Sequence, residues 1–194
     1  MQKIIEFAHY LLKEKITSSD ICLDMTLGNG NDTLFLLKYA KFVYAFDIQK
    51  EALENSYKKL LKYNNYKLIL DSHENFDKYV KEPIKGAIFN LGYLPKGNKN
   101  ITTNCETTLK TLNKALNVIS TNGIIIIVVY PGHEEGMKES LKLNDFLKTL
   151  DQKKFEVLKY EFFNQINNPP YLFAIEKIVK EWIYENFDCY LKST

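Results

Sequence analysis

Not one of the 26 basic residues is an arginine. Every basic side chain is therefore a lysine, so any contact to a phosphate is a point-charge contact from an ammonium rather than the two-pronged fork of a guanidinium. Against 24 acidic residues the formal net charge is only +2, too small by itself to mark a nucleic-acid-binding protein. Cysteine is also scarce. Cys22, Cys105 and Cys189 lie far apart with no C-x-x-C pair, which argues against a disulfide framework or a zinc site, and no metal is expected. No run of eighteen apolar residues occurs, and Met1-Gln2-Lys3 leads into an amphipathic pattern carrying Glu6 and Lys13. Neither a membrane span nor a secretory signal is expected, and the expected location is the cytoplasm. Repeats and low-complexity linkers are absent too. What is there, 194 residues of which 45% are hydrophobic, suffices for one domain around one sizeable core.

Strand and helix signals alternate along the chain. Ile4, Ile5, Phe7, Ala8, Leu11 and Leu12 form the stripe of an opening helix that ends near Ser18-Ser19. Strands are expected at Ile21 to Met25, Phe42 to Phe46, Tyr66 to Leu70, Gly86 to Leu91 and Ile124 to Val129. Helices are expected at about Asp32 to Tyr39, Lys50 to Tyr63, Thr107 to Ile119 (stopped by Asn122-Gly123) and from Pro131-Gly132 to about Leu150. The fourth strand is apolar up to Asn90, as suits a parallel strand covered on both faces. Phe155 to Phe162 and Tyr171 to Ile175 follow one another without a helix between them and should pair antiparallel at an edge. The expectation is an α/β, Rossmann-like class I methyltransferase fold. Its sheet has seven strands, mostly parallel with an antiparallel last strand, and helices on both faces. Residues 1–177 would form this domain and 178–194 a C-terminal helical extension carrying Trp182, Ile183 and Phe187.

The most informative stretch is Cys22-Leu23-Asp24-Met25-Thr26-Leu27-Gly28-Asn29-Gly30-Asn31-Asp32-Thr33. An apolar run ends in an acid, a turn with two glycines opens a helical pattern, and a second apolar run ends at Asp47, nineteen residues after Gly28. This is the layout of a nucleotide-cofactor site at the head of a doubly wound sheet. Glycine lets the backbone bend tightly and lets a ligand approach main-chain N–H groups, while a carboxylate ending the second strand can accept both hydroxyls of a ribose. A dinucleotide would want a third glycine where Thr33 stands, and Asp32 would repel its pyrophosphate. Against the S-adenosylmethionine template D-x-G-x-G-x-G, Asp24 to Gly30 match with Thr26 in place of the first glycine. That cofactor carries positive charge at sulfur and on its methionine amine, so nearby acids favour it. The cofactor contacts are expected from Asp24, Thr26, Gly28 to Thr33, Asp47 with its neighbours Ile48 and Gln49, then Asp71, Ser72 and His73 after the third strand and Asn90, Leu91 and Gly92 after the fourth.

Three further segments end at the same crevice. Asp71-Ser72-His73 follows the third strand, where an acid or polar group would meet the adenine amine. Asn90-Leu91-Gly92-Tyr93-Leu94-Pro95 follows the fourth, where the methyl acceptor would be held, and Tyr130-Pro131-Gly132-His133 follows the fifth. For an amine acceptor, the Asn90 side-chain oxygen and the Leu91 carbonyl would take its hydrogen bonds, and Tyr93 would pack on the base. His133, or His73 behind it, would take the proton. Lys96 could touch an RNA backbone. Asn168-Pro169-Pro170-Tyr171 spells the N-P-P-Y motif of amino methyltransferases, but it stands between the last two strands instead of after the fourth. It is read either as an amine-binding segment or as a rigid loop over the pocket. Carbon-5 methylation of a pyrimidine would need a nucleophilic cysteine, and it is disfavoured because Cys105, the candidate near the fourth strand, lies fourteen residues beyond Leu91 with no proline before it. From other classes, a NAD-dependent oxidoreductase and a noncatalytic nucleotide-binding domain are the alternatives; the first is disfavoured by Asp32 and Thr33, the second by the presence of Asp24, Asp47 and Asp71.

Taken together, Asp24 to Thr33, Tyr44-Ala45-Phe46-Asp47-Ile48-Gln49, Asp71-Ser72-His73, Phe89 to Pro95, Tyr130 to Gly136 and Asn164 to Pro170 resemble the bacterial rRNA methylase family. Its members are now understood as the tRNA 5-aminomethyl-2-thiouridine methyltransferases of Gram-positive bacteria. The resemblance spans roughly residues 1 to 177 and implies a class I fold and S-adenosylmethionine as donor. It further implies methylation of the aminomethyl nitrogen on the wobble uridine at tRNA position 34, with the anticodon stem-loop as partner. Methylation of rRNA or of a small-molecule amine is the nearer alternative. Tyr130-Pro131 departs from the family, which more often has a histidine between tyrosine and glycine. The apolar tail beyond Val179 could bury against a second copy, as a homodimer would require.

Overall fold

The computed structural model describes residues 1–91 and 105–178. The chain runs α1 (Ile4–Lys15), β1 (Ile21–Asp24), α2 (Asn31–Leu36), β2 (Phe42–Asp47), α3 (Lys50–Leu60), β3 (Tyr66–Leu70), a 3-10 turn (His73–Asn75), α4 (Phe76–Tyr79) and β4 (Ile84–Leu91). It continues through α5 (Cys105–Val118), β5 (Ile119–Val129), α6 (Glu134–Lys148), β6 (Phe155–Tyr160) and β7 (Tyr171–Lys177). The strands form one seven-stranded sheet in the order β3-β2-β1-β4-β5-β7-β6. β1 to β5 pair in parallel, and β7 lies antiparallel between β5 and β6. The expected sheet is therefore present, with the last strand inserted next to β5 and β6 at the edge.

Period-two alternation sends each strand's side chains to two separate cores. On one face Leu23, Met25, Phe46, Phe89, Ile125 and Ile127 pack with Leu112 and Leu116 of α5 and Leu143 and Leu147 of α6. On the other, Cys22, Val43, Ile88, Ile126 and Val128 pack with Ala8 and Leu12 of α1, Leu36 of α2 and Leu60 of α3. Covering on both sides explains why Ile124 to Val129 needs no polar residue, all six being buried. Burial also pushes the Cys22 thiol up to about 12, leaving it an inert core residue. Among the described residues no helix is long and apolar enough to cross a membrane.

Several boundaries differ from the sequence expectation. Ile119 is strand, not helix, because it pairs with Ile84; the ladder then shifts register and resumes at Gly86 opposite Ile124. Asn122 takes a left-handed φ of 55° in that irregular stretch. A β-carbon on Gly123 would stand 2.7 Å from the Ser120 carbonyl oxygen, so this glycine permits close backbone packing and does not end a helix. α2 stops at Leu36, and the short 3-10 turn and α4 carry the chain after β3 where no helix was expected. The extension from Val179 onward, Cys189 included, lies outside the described residues.

Phe89 sits fully buried in the centre of β4. Phe89→Ala should destabilise the protein by about 3–5 kcal/mol in a denaturant titration; a cost below 1 kcal/mol would show that this core collapses around the loss.

Candidate active site

The strand order reverses between β1 and β4, which opens a crevice at their carboxyl ends. The glycine turn lines one wall. Gly28 and Gly30 hold left-handed φ values of 48° and 71°, and a β-carbon at Gly30 would come within 2.8 Å of the Ser56 hydroxyl oxygen. Side chains from α3 fasten the turn: the Ser56 hydroxyl donates to the Gly28 carbonyl at 3.0 Å, and the Lys59 ammonium donates to the Asn29 carbonyl and the Asn31 side chain. Across from the turn, Asp47 accepts from the Gly28 N–H and the Gln49 N–H, both at 2.9 Å. Burial raises the Asp47 carboxyl, and the N–H groups of Gln49, Gly28 and Ile48 oppose that rise. Ile48 beside it is 58% exposed and Leu70, ending β3, is 52% exposed, so two apolar side chains stand in solvent next to the Asp47 carboxylate.

Asp24 has a different place from the one expected. It is wholly buried, accepting from the Thr26 N–H at 3.1 Å and from the Thr33 hydroxyl at 2.6 Å. It cannot touch a ligand; it binds the end of β1 to the first turn of α2 and so shapes the loop that can. Burial, reinforced by the Asp32 charge, pushes its carboxyl up to about 7. Asp32 is itself 6% exposed. One of its oxygens accepts from the Asn90 side-chain amide at 3.0 Å, and the other lies 2.7 Å from His9 Nε2. The Asn90 N–H donates to the Thr26 hydroxyl at 2.8 Å. One connected set of side chains thus joins α1, the glycine turn and the end of β4. The sequence pointed to Asp32, Thr26 and Asn90 but not to His9, whose position on a helix ahead of the motif carried no signal.

At the end of β3, Asp71 accepts from the Asn75 amide, the Tyr79 hydroxyl and the Ser72 N–H. The Asn75 bond, with the Tyr79 and Ser72 bonds behind it, holds its carboxyl below the usual range. His73 is turned away from this wall. It is 8% exposed, edge-on to Phe89, with Nδ1 2.8 Å from the Thr111 hydroxyl oxygen. Thr111 gives its own proton to the Thr107 carbonyl, so His73 must be the donor. Burial lowers the ring to about 4, and it serves as a neutral pin between the 3-10 turn and α5. His133 caps α6, its Nδ1 accepting from the Gly136 N–H at 3.0 Å. Taking a proton there would break the cap, which corrects its assignment as the base.

The Asn168-Pro169-Pro170 segment leads into β7, which pairs Tyr171 with Val129, so it lies at the carboxyl end of β5 on the crevice side. Asn167 and Asn168 both hold left-handed φ values, 66° and 49°. Tyr171 is not offered for stacking: it is 5% exposed, and its hydroxyl contacts those of Ser140 at 2.9 Å and the Asn144 amide at 3.1 Å. Leu91 ends β4, 2% exposed. Gly92, Tyr93 and Lys96 lie outside the described residues. Cys105 opens α5 with its thiol raised by burial, which does not suit a nucleophile.

Fold and crevice define a class I methyltransferase, and the chain belongs to the family described as "Putative rRNA methylase", which residues 43–176 match. A tRNA (mnm5s2U34)-methyltransferase, chloroplastic, from Arabidopsis thaliana is 33% identical over 192 residues, covering 91% of this chain and 70% of that one. A solved structure from Streptococcus mutans, described as a "putative methyltransferase" in complex with SAH, is 44% identical with a TM-score of 0.87, covering 92% of this chain and 99% of that one. A second, a "putative rRNA-methylase" from Clostridium thermocellum, is 43% identical with a TM-score of 0.89 and the same coverage.

A carboxyl raised in the fold favours the protonated native state, so its contribution to stability is lost as pH rises from about 4 to about 7. Asp24→Asn removes that titration. The ligand-free variant should gain on the wild type by about 2–3 kcal/mol between pH 5 and pH 8 in denaturant titrations; a gap that does not vary with pH would refute the raised carboxyl.

Proposed function

We propose that this chain is an S-adenosylmethionine-dependent methyltransferase that N-methylates the 5-aminomethyl group of (2-thio)uridine at the wobble position of tRNA. The observation that carries the amine reading is the fixed Asn90 amide at the end of β4. A carboxylate only accepts, so the nitrogen end of Asn90 faces Asp32 and its oxygen faces the other way, an acceptor for the N–H bonds of an incoming amine. The named activity of the Arabidopsis relative supports the tRNA substrate, and the SAH bound in the Streptococcus structure supports the donor.

The residues present fit that donor. Asp47 would take the ribose hydroxyls, Ile48 and Leu70 would cover the faces of the adenine, and Asp71 and Ser72 would meet its amine. The backbone of Gly28 to Gly30 would admit the close approach that side chains would block. When bound, S-adenosylmethionine supplies a methyl group on a positively charged sulfur. The protein's part is largely positioning, since holding two reactants at near-attack distance contributes about 7–11 kcal/mol to a transfer of this kind. An alkylammonium has no lone pair, so its proton passes to solvent before transfer, and Asn90 and the Leu91 carbonyl act by binding the neutral amine and aiming that lone pair at the methyl carbon, whose bond to sulfur breaks as the bond to nitrogen forms. Tyr93 and Lys96 are proposed to touch the base and the RNA backbone, and Asn168 to Pro170 to cover the pocket. The cytoplasm and a homodimer remain part of this proposal, as does the division into a domain at 1–177 and an extension at 178–194.

Radiolabelled methyl incorporation into tRNA and rRNA from cells lacking this gene tests donor and acceptor together. Label in aminomethyl wobble uridine supports the reading, and label confined to rRNA replaces it. In the same assay Asn90→Ala should lower turnover about 10²-fold while SAH affinity stays within a few-fold; an unimpaired rate removes Asn90 from the acceptor site.

A further inference from the structure

His9 lies on α1, well ahead of the glycine turn, yet its ring reaches the crevice. The imidazole stacks flat on Phe35 of α2, with centroids 3.9 Å apart and planes within 6°. Phe35 is braced in turn by Tyr39 at 5.1 Å. The stack fixes the ring plane and aims Nε2 at one oxygen of Asp32, 2.7 Å away, with His9 22% and Asp32 7% exposed at the side chain. Because the carboxylate accepts, that nitrogen carries the hydrogen. The other oxygen of Asp32 holds the amide of Asn90, and the Asn90 main chain is held separately by Thr26.

We propose that His9 is a positioning residue for methyl transfer: its Nε2–H fixes the Asp32 carboxylate, which in turn fixes the Asn90 amide with its oxygen toward the acceptor amine. This rests on the amine reading of the site given above. The chain of contacts gives each member one geometry. Without the His9 donor, Asp32 can rotate about its terminal torsion, and the Asn90 amide loses the reference that decides which end faces the substrate. A carboxylate left with a vacant acceptor beside an alkylammonium would also hold that cation protonated, opposing the loss of the proton that transfer requires. A contact that only joined α1 to α2 would act on folding and leave turnover alone.

The test uses the full-length protein as wild type, His9→Phe, His9→Gln, Asn90→Ala and the His9→Phe/Asn90→Ala double variant. His9→Phe keeps an aromatic ring to stack on Phe35 but has no donor; His9→Gln restores an N–H at about the Nε2 position. Expected for His9→Phe are SAH affinity and KM for aminomethyl-bearing tRNA within a few-fold of wild type and kcat lower by about 10²-fold. His9→Gln should recover most of that loss, and His9→Phe should add nothing to Asn90→Ala, because the two act in series. An unchanged kcat in His9→Phe, a loss that glutamine does not restore, an additive double variant, or a defect confined to SAH binding or melting temperature each overturns the role. A wild type that methylates no aminomethyl tRNA sinks the substrate reading and this role with it, whereas an active wild type beside an unimpaired His9→Phe sinks the role alone.

Discussion

The burial of two carboxylates side by side at the head of the sheet is the constraint on which the site depends. Asp24 and Asp32 repel one another in a place where water cannot screen them, so each survives only by being hydrogen-bonded. Asp24 meets that demand with the Thr26 N–H and the Thr33 hydroxyl, and doing so forces the chain to leave β1 and enter α2 through a tight turn. The left-handed glycines follow from this geometry. Asp32 meets it with His9 and Asn90, and doing so ties the opening helix and the end of β4 to the same turn. The side chains that satisfy buried charge are thus those that shape the pocket.

The glycine turn and the Asp47 carboxylate facing it were legible in the sequence because they are local. A strand, a glycine turn, a helix and a carboxylate on the next strand lie within one stretch of chain, and backbone conformation there is dictated by residue type. What was not legible is where a polar side chain points. Asp24 reads as a ligand-binding acid in a motif, but whether it faces the crevice or the core depends on Thr33 closing over it. His73 and His133 follow the expected strands, yet Thr111 on α5 claims one and the Gly136 N–H claims the other. The parallel strands and their antiparallel closing pair were similarly readable from the alternation of strands and helices, whereas the end of α5 was not. Ile119 suits a helix by pattern and becomes strand only because Ile84 of a distant element pairs with it.

The acids also bear on which acceptor can react. Carboxylates gathered at one crevice attract cations, which suits a sulfonium donor and an ammonium acceptor, but an ammonium resting against a carboxylate is harder to deprotonate. The structure meets this conflict by distance and by occupancy. Asp24 is sealed inside, Asp47 is held by main-chain N–H groups on the far side of the turn, and Asp32 is engaged on both oxygens. In the proposed site the amide of Asn90 would be the polar group between Asp32 and the acceptor, and an amide oxygen accepts a hydrogen bond without the full charge that would keep an amine protonated. A direct carboxylate at the end of β4 would bind the ammonium more tightly and react more slowly, because affinity for the protonated ground state does not lower the barrier to transfer. Under the proposed amine reading, asparagine at this position, with a buried acid behind it and histidine behind that, would reconcile attraction of a cation with release of its proton.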